Sequence, residues 1–171
     1  MAVHGAKSGP LLRISDDSCL PGLSEMVRRV HDTSDSKIVP QIIHFLKIAR
    51  SGWRQTIDML DETDIDAIVG HFGAAAARAR EAGFDGAELH SAHAYTLASF
   101  ISRRNTRNDD YGGSLENRLR LIGRVMHEAR RQAGHDFAIG VRIDAEEFIR
   151  GGYTVEEGKL IALRHAQLGC D

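Results

Sequence analysis

The stretch AGFDGAELH, residues 82–90, decides the fold because it joins the end of a helical segment to a short apolar strand. Its opening pattern is a small or apolar residue, then Gly, any residue and Asp. The pattern recurs as AGHD at 133–136 and as LGCD at 168–171. Glycine in this position typically ends a helix, and the first two copies lead into apolar strands, predicted over 84–89 and 137–143. Helices that alternate with strands in this way indicate parallel βα units.

Four helices are predicted from the periodicity of their apolar residues. The first follows Pro21, the second is capped by Thr63, the third is capped by Ser114, and the fourth begins with a capping box at Thr154. A further strand is predicted over 37–44, although Pro40 inside it lacks the N–H that a central strand needs.

These elements predict an α/β fold class, as part of a (β/α)8 TIM barrel. About three strands and four helices are too few to close such a barrel, which typically takes about 250 residues. The sequence therefore predicts three to four βα units that lack the first and last strands, and the third copy of the repeat predicts that another strand follows it. We expect residues 1–18 to form a loop or N-terminal extension and residues 19–171 to form the partial barrel domain.

Composition argues against several classes of protein. The net charge is −2 and the pI is near 6.5, which does not fit binding to nucleic acid or to an anionic membrane. The N-terminal sequence lacks the basic and apolar regions of a signal peptide, and no apolar run approaches the ~18 residues of a membrane span. Cys19 and Cys170 are far apart and form no C-x-x-C motif, which favours a reduced, cytoplasmic protein.

Polar side chains lie near the C-terminal ends of the predicted strands, the end at which active sites of βα barrels are found. They are Gln41 and His44 in the first strand, His90, His93 and Tyr95 at the end of the second, and Arg142 in the third.

The pair His90 and His93 has three interpretations. A zinc site needs three or four ligands, and no matching pair occurs elsewhere in the sequence. The two side chains could be ordinary hydrogen-bonded histidines of a loop, or they could donate hydrogen bonds to a substrate oxygen that gains negative charge. In the last case Tyr95 could donate a proton to carbon, since a tyrosine hydroxyl keeps its proton at neutral pH. Otherwise Tyr95 packs with its hydroxyl at the surface.

Arg142 is unusual because a guanidinium in an apolar strand is costly to bury unless an anion contacts it. A carboxylate on a neighbouring strand or loop is one such anion. A reduced flavin ring, which carries negative charge near N1, is another.

The segment GFDGAELHSAHAYTLASFISRRNTRNDDYGGSLENRLRL, residues 83–121, resembles the signature of the old yellow enzyme family. This family comprises the FMN-dependent NADH:flavin oxidoreductases and enoate reductases. The resemblance continues through GVRID and GGYTVEEG, includes PQIIH as the family's Gln-x-x-His strand end, and covers roughly residues 20–171.

The resemblance implies an enzyme that uses FMN and NAD(P)H to reduce an activated C=C bond of a small α,β-unsaturated substrate. Gln41 and Arg142 would contact the pyrimidine edge of the flavin, and His44 would lie near the flavin or the substrate. His90 and His93 would hold the substrate carbonyl oxygen, and Tyr95 would protonate the α carbon. The segment DDYGGSLENR would be scaffold, holding the loop after the second strand.

The chain also departs from the family pattern. The family usually follows Gln-x-x-His with a short Gly-Arg turn, whereas FLKIARSGWRQ stands here. The strands that supply the phosphate site of such barrels are not represented. A barrel fragment that cannot hold flavin by itself is therefore an alternative, and a metal-dependent barrel enzyme using His90 and His93 is a weaker one. Open sheet edges would favour self-association or a complementing chain.

Overall fold

The computed structural model describes residues 1–4 and 11–171, and the described chain forms an arc of parallel strands packed against helices. In chain order the elements are α1 (Leu20–Thr33), β1 (Gln41–Ile42), α2 (Glu62–Glu81), β2 (Gly86–Ser91), α3 (Thr96–Ile101), α4 (Leu115–Arg118), α5 (Arg120–Ala133), β3 (Ala138–Ile143) and α6 (Val155–Gln167). Single 3₁₀ turns precede α1 at Asp17–Cys19 and α2 at Ile57–Met59.

The sheet has the order β1-β2-β3, and both neighbouring pairs are parallel. Gln41 is in register with Glu88, and His90 is in register with Arg142. The arrangement confirms the predicted βα units of a partial barrel. None of the helices in the described ranges is long and apolar enough to cross a bilayer.

The two faces of the sheet differ in character because successive side chains of a strand point to opposite sides. Ile42, Ala87, Leu89 and Ile139 are almost completely buried and belong to one core with α2 and α5. Removing most of a fully buried side chain such as that of Leu89 would cost about 2–5 kcal/mol. The other face of β2 and β3 carries small and polar residues: Gly86, Glu88, His90, Ala138, Gly140 and Arg142.

The glycines of the repeat end their helices as predicted. Gly83, Gly134 and Gly169 have φ of +90°, +91° and +91°, a left-handed conformation that an L side chain rarely adopts. Glycine is therefore the residue that each of these three helix ends requires.

The aspartates of the repeat were predicted only as part of the pattern, but two of them join neighbouring segments. Asp85 accepts the N–H of Ile38 at 2.8 Å and donates its own N–H to the carbonyl of Ile38 at 3.0 Å. Asp171 makes the same two contacts with Ile139, at 2.8 and 3.1 Å. Asp136 instead forms an ion pair with Arg80.

Several predicted boundaries need correction. Helix α2 is capped by Asp61 rather than Thr63, because Asp61 and Asp64 form a reciprocal capping box two residues earlier. Ser114 caps α4 as predicted, but a break at Leu119 separates α4 from α5. Thr154 is the N-cap of α6 without a side-chain cap bond, so the predicted capping box is wrong.

The predicted strand 37–44 is reduced to Gln41–Ile42, because Pro40 cannot donate to the ladder, although its carbonyl accepts from Glu88 at 2.9 Å. The described part of the segment expected to be a loop or extension, residues 1–18, makes isolated contacts with the sheet region. Ala2 bridges in parallel to both Arg13 and Ile43, and Ala2 is buried beside β1. Residues 5–10 of this segment lie outside the described residues.

Candidate functional site

Three polar side chains meet on the face of the sheet that carries the small and polar residues, which we call the inner face. Gln41 donates its amide N–H to Glu88 Oε1 at 2.5 Å, and Arg142 Nε donates to the same oxygen at 3.0 Å. The carboxylate thus lies between the two residues that the resemblance assigns to the flavin. Of the two anions considered for Arg142, the carboxylate of a neighbouring strand is the one in contact, and the Arg142 side chain is 51% exposed.

Glu88 is the charge that balances this cluster. Partial burial opposes its charged form, but the hydrogen bonds from Gln41 and Arg142 outweigh burial and hold the pKa of the carboxyl below its usual value. Glu88 is therefore ionised at neutral pH, and it neutralises Arg142 at the centre of the sheet.

His90 lies at the C-terminal end of β2 and is only 5% exposed. Burial, followed by the nearby charges of His93 and Arg142, lowers the pKa of His90, so its ring is neutral at pH 7. Its Nδ1 accepts the N–H of Ala92 at 3.2 Å, which places the ring proton on Nε2. That N–H lies 3.4 Å from His93 Nδ1.

His93 belongs to a strained turn, residues 92–96, that we name the His–Tyr turn. His93 and Ala94 have φ of 57° and 56°, in the left-handed region that costs a non-glycine residue free energy. The N–H of His93 is accepted by Asp144 Oδ2 at 2.9 Å, and His93 Nε2 lies 3.9 Å from Asp144 Oδ1. Asp144 directly follows β3, so this turn is tied to the neighbouring strand.

Tyr95 is the third predicted residue of this group and is 38% exposed. Its ring packs edge-on against His90, with centroids 5.1 Å apart, and edge-on against Phe45 at 5.0 Å. The structure therefore brings His90, His93 and Tyr95 together at the end of β2, each in contact with another of the three.

His44 lies apart from this group, stacked near His4 and His71 with ring centroids 4.2 and 6.3 Å away. Burial, then the charges of His4 and His71, lowers the pKa of His44 to about 3. Thr96 donates its hydroxyl proton to the His44 carbonyl at 3.0 Å, so at 2.9 Å it accepts from the His44 ring Nδ1. The structure thus connects His44 to the His–Tyr turn through Thr96.

A cavity of about 600 Å³ opens beside the site. Of the predicted residues it touches His93 alone, and its walls come from the β1–α2 loop, α3 and the loop after β3. Apolar side chains such as Ile57, Phe148 and Tyr153 line it together with Arg54. This space could hold the body of a substrate whose reacting end lies at His93.

The segment 105–118, which includes the predicted scaffold motif at 109–118, bonds to the backbone around the site. Asn105 donates to the carbonyls of Phe100 and Tyr111 at 2.8 and 2.7 Å. Two buried arginines extend this support. Arg107 donates to the carbonyls of Ile57 and Leu60, and Arg118 donates to the carbonyl of Ile101 and to Glu157. These three side chains of the segment therefore hold α3 and one wall of the cavity, and of the three only Arg118 belongs to the predicted motif.

Three residues of the site were missed by sequence reasoning: Glu88, Thr96 and Asp144. Glu88 shares a face of β2 with His90 two positions away, and Asp144 follows Arg142 by two positions, so alternation alone could have indicated both. Nothing in the sequence distinguishes Thr96 from any hydroxyl residue at the start of a helix.

Metal binding has little support in the described ranges, 1–4 and 11–171, which contain no group of three or more His, Cys, Asp or Glu arranged to hold an ion. The histidine pair thus lacks the further ligands that zinc requires.

Comparison with known proteins gives a consistent result. The sequence pattern of the NADH:flavin oxidoreductase / NADH oxidase family matches residues 46–168. An NADH oxidase of Thermoanaerobacter brockii is 36% identical over 88% of the chain and 26% of its own length. A multifunctional alkene reductase/demethylase OYE of Caballeronia cordobensis is 33% identical over 86% of the chain and 24% of its own length.

The fold is likewise shared with a solved structure. Old Yellow Enzyme from Pichia sp. AKU4542 superimposes with a TM-score of 0.76 and 24% identity, over 98% of this chain and 54% of the other. This likeness confirms the partial TIM barrel. The chain spans about a quarter of the length of the two curated relatives and about half that of the solved enzyme.

Proposed function

Because the chain belongs to the NADH:flavin oxidoreductase / NADH oxidase family, we propose that it forms the substrate-activating part of an FMN-dependent oxidoreductase. The reaction is reduction of an activated C=C bond with electrons from NAD(P)H. The observation that carries this proposal is the grouping of His90, His93 and Tyr95 at the end of β2, beside a cavity and above the Gln41–Glu88–Arg142 cluster.

The donor set on the inner face fits the polar edge of a flavin ring. Gln41 offers an amide and Arg142 a guanidinium, and both are held in place by Glu88. The partly exposed guanidinium keeps N–H groups available beyond its bond to Glu88. When bound, the flavin supplies the hydride that the reaction requires. His44 stays a weaker proposal as a flavin or substrate neighbour, and its bond to Thr96 supports an indirect role.

The protein's own side chains would stabilise the substrate carbonyl oxygen and supply the proton. His90 directs its Nε2 proton toward His93 Nδ1, and a substrate carbonyl oxygen that displaces this contact could accept an N–H from each ring. Such donors stabilise the oxygen most when it gains negative charge. Tyr95, in contact with His90 and partly exposed, gives its proton to the α carbon, and solvent restores that proton.

The cavity beside His93 supports a substrate larger than a minimal alkene. Its apolar walls would bury the hydrocarbon body of such a substrate. The partial barrel unit proposed for residues 19–171 would supply this part of the site.

The competing proposal is a barrel fragment without activity of its own. It is supported by the fraction of its relatives that the chain spans. Titration of the chain with FMN, followed by quenching of flavin fluorescence, separates the two proposals. We expect weak binding, because Gln41 and Arg142 address only the ring and strong phosphate binding needs oriented backbone donors. Stoichiometric tight binding would contradict the fragment proposal.

The catalytic assignment is tested by stopped-flow measurement of the two half-reactions in a complete or complemented barrel that holds flavin. The Tyr95→Phe variant removes one hydroxyl and little volume. It should leave reduction by NAD(P)H unchanged and slow reoxidation by the alkene about 10²–10⁴-fold, the usual span for a positioned general acid. Slower reduction with unchanged reoxidation would refute the assignment.

A further inference from the structure

The His–Tyr turn is tied to the strands on both sides of it, and we propose that Asp144 and Thr96 are positioning residues that place His93 and Tyr95, respectively. The inference rests on the proposed function, because it concerns the same site. It adds to that function two residues, outside the group proposed to react, that set the positions of His93 and Tyr95.

The first tie runs from the turn to β3. The bond from His93 N–H to the Asp144 carboxylate is charge-assisted, and such bonds are stronger than those between neutral groups. It acts on a residue whose left-handed φ would otherwise be unfavourable. Asp144 is itself fixed, since its carbonyl accepts the Tyr153 hydroxyl at 2.9 Å. The carboxylate therefore holds the backbone in the conformation that brings the His93 ring against His90.

The second tie runs from the turn to the end of β1. Thr96 is 1% exposed, and its hydroxyl both donates to the carbonyl and accepts from the ring of His44. Thr96 is the first residue of α3, and Tyr95 is the N-cap of that helix. Fixing Thr96 therefore fixes the backbone from which the Tyr95 side chain reaches Phe45 and His90.

The two ties act on different residues of the turn, so their effects should be separable. Loss of Asp144 releases His93 while Thr96 still holds the start of α3. Loss of the Thr96 hydroxyl releases the start of α3 while Asp144 still holds His93. If Asp144 and Thr96 contributed only to global stability, their loss would affect the His93 and Tyr95 rings alike.

The experiment is NMR of the 171-residue chain with labelled histidine, tyrosine and phenylalanine rings, without flavin or substrate. In the parent chain we expect nuclear Overhauser effects between the His90 and His93 rings and between the Tyr95 and Phe45 rings. Asp144→Ala should lose the histidine contact and keep the Tyr95–Phe45 contact. Thr96→Val should do the opposite.

Conservative variants sharpen the result. Asp144→Asn keeps an oxygen that can accept the His93 N–H, and Thr96→Ser keeps the hydroxyl, so each should retain both ring contacts. Glu146→Gln is the matched control for charge, since Glu146 lines the same cavity. Thr106→Val is the matched control for the hydroxyl, which bonds to Asp58 at 2.9 Å. Neither control should change a ring contact.

The proposal is overturned if Asp144→Ala keeps the His90–His93 contact, or if one variant abolishes both contacts. Should Thr96→Val fail to fold, Thr96→Ala removes the same hydroxyl with a smaller side chain, and a retained Tyr95–Phe45 contact there would overturn that half. Because no measurement involves flavin, these outcomes are independent of whether the chain catalyses the proposed reaction.

Discussion

Replacement of Ala94 by glycine should stabilise the protein, although glycine usually destabilises. Ala94 has a φ of 56°, and the left-handed conformation costs an L-residue roughly 1–2 kcal/mol. Glycine removes this cost but adds about 0.4–1 kcal/mol of conformational freedom to the unfolded chain. Ala94 is exposed, so loss of its methyl group leaves no cavity. The midpoints of the two ranges differ by about 0.8 kcal/mol in favour of glycine, or about 2–3 °C in Tm for a chain of this size.

The assay is thermal unfolding followed by circular dichroism, with Ala162→Gly as the matched control. Ala162 is also exposed, but it lies in the middle of α6, where glycine costs about 1 kcal/mol relative to alanine. The two substitutions are chemically identical and should shift Tm in opposite directions. A fall in the Tm of Ala94→Gly comparable to that of the control would refute the left-handed conformation of the His–Tyr turn.

Three further predictions concern binding, pH and association. His90→Ala or His93→Ala in the flavin-bound protein should weaken substrate binding as well as slow reoxidation, because a donor to the developing oxyanion is lost; unchanged binding measured by titration would contradict this. Stability to urea should fall from pH 7 to pH 5. Burial lowers the pKa of His44 to about 3 in the folded state, against ~6.5 in the unfolded chain, so the unfolded chain takes up the proton first as the pH falls. His44→Gln should therefore lose less unfolding free energy between pH 7 and pH 5 than the parent, and an equal loss in both proteins would contradict this role of His44. The chain should self-associate in sedimentation at raised concentration, since Leu160 and Leu163 of α6 are exposed and β3 has an open edge; a monomer throughout would count against this.

The sequence was sufficient for the architecture because helix-ending glycines and apolar strands are local signals. The repeat around Gly83 and Gly134 predicted the order of helices and strands, and the structure confirms it. Boundaries were less predictable where two capping residues compete, as with Asp61 and Thr63. Pairing in the sheet depends on partners distant in sequence, so the shortness of β1 could be anticipated only from Pro40.

The grouping of the site was predictable in part. The spacing of His90, His93 and Tyr95 around one strand end indicated that these side chains lie together, as the structure has them. Glu88 lies on β2 with His90, and Asp144 follows Arg142 by two positions, so alternation could have indicated both residues although their partners across the sheet are not recorded in a single sequence. Thr96 resembles any hydroxyl residue at the start of a helix, and the His44 ring lies toward His71.

The aspartates of the repeat have a consequence for how barrels of this kind can grow. Asp85 and Asp171 each reach back to the segment that begins the preceding strand, and bind both its N–H and its carbonyl. Two of the three aspartates of the repeat therefore align their segment with the strand before it, whereas Asp136 pairs with Arg80 of α2. In all three cases the partner lies in the preceding part of the chain, so duplication of such a unit would duplicate a contact that depends only on its predecessor.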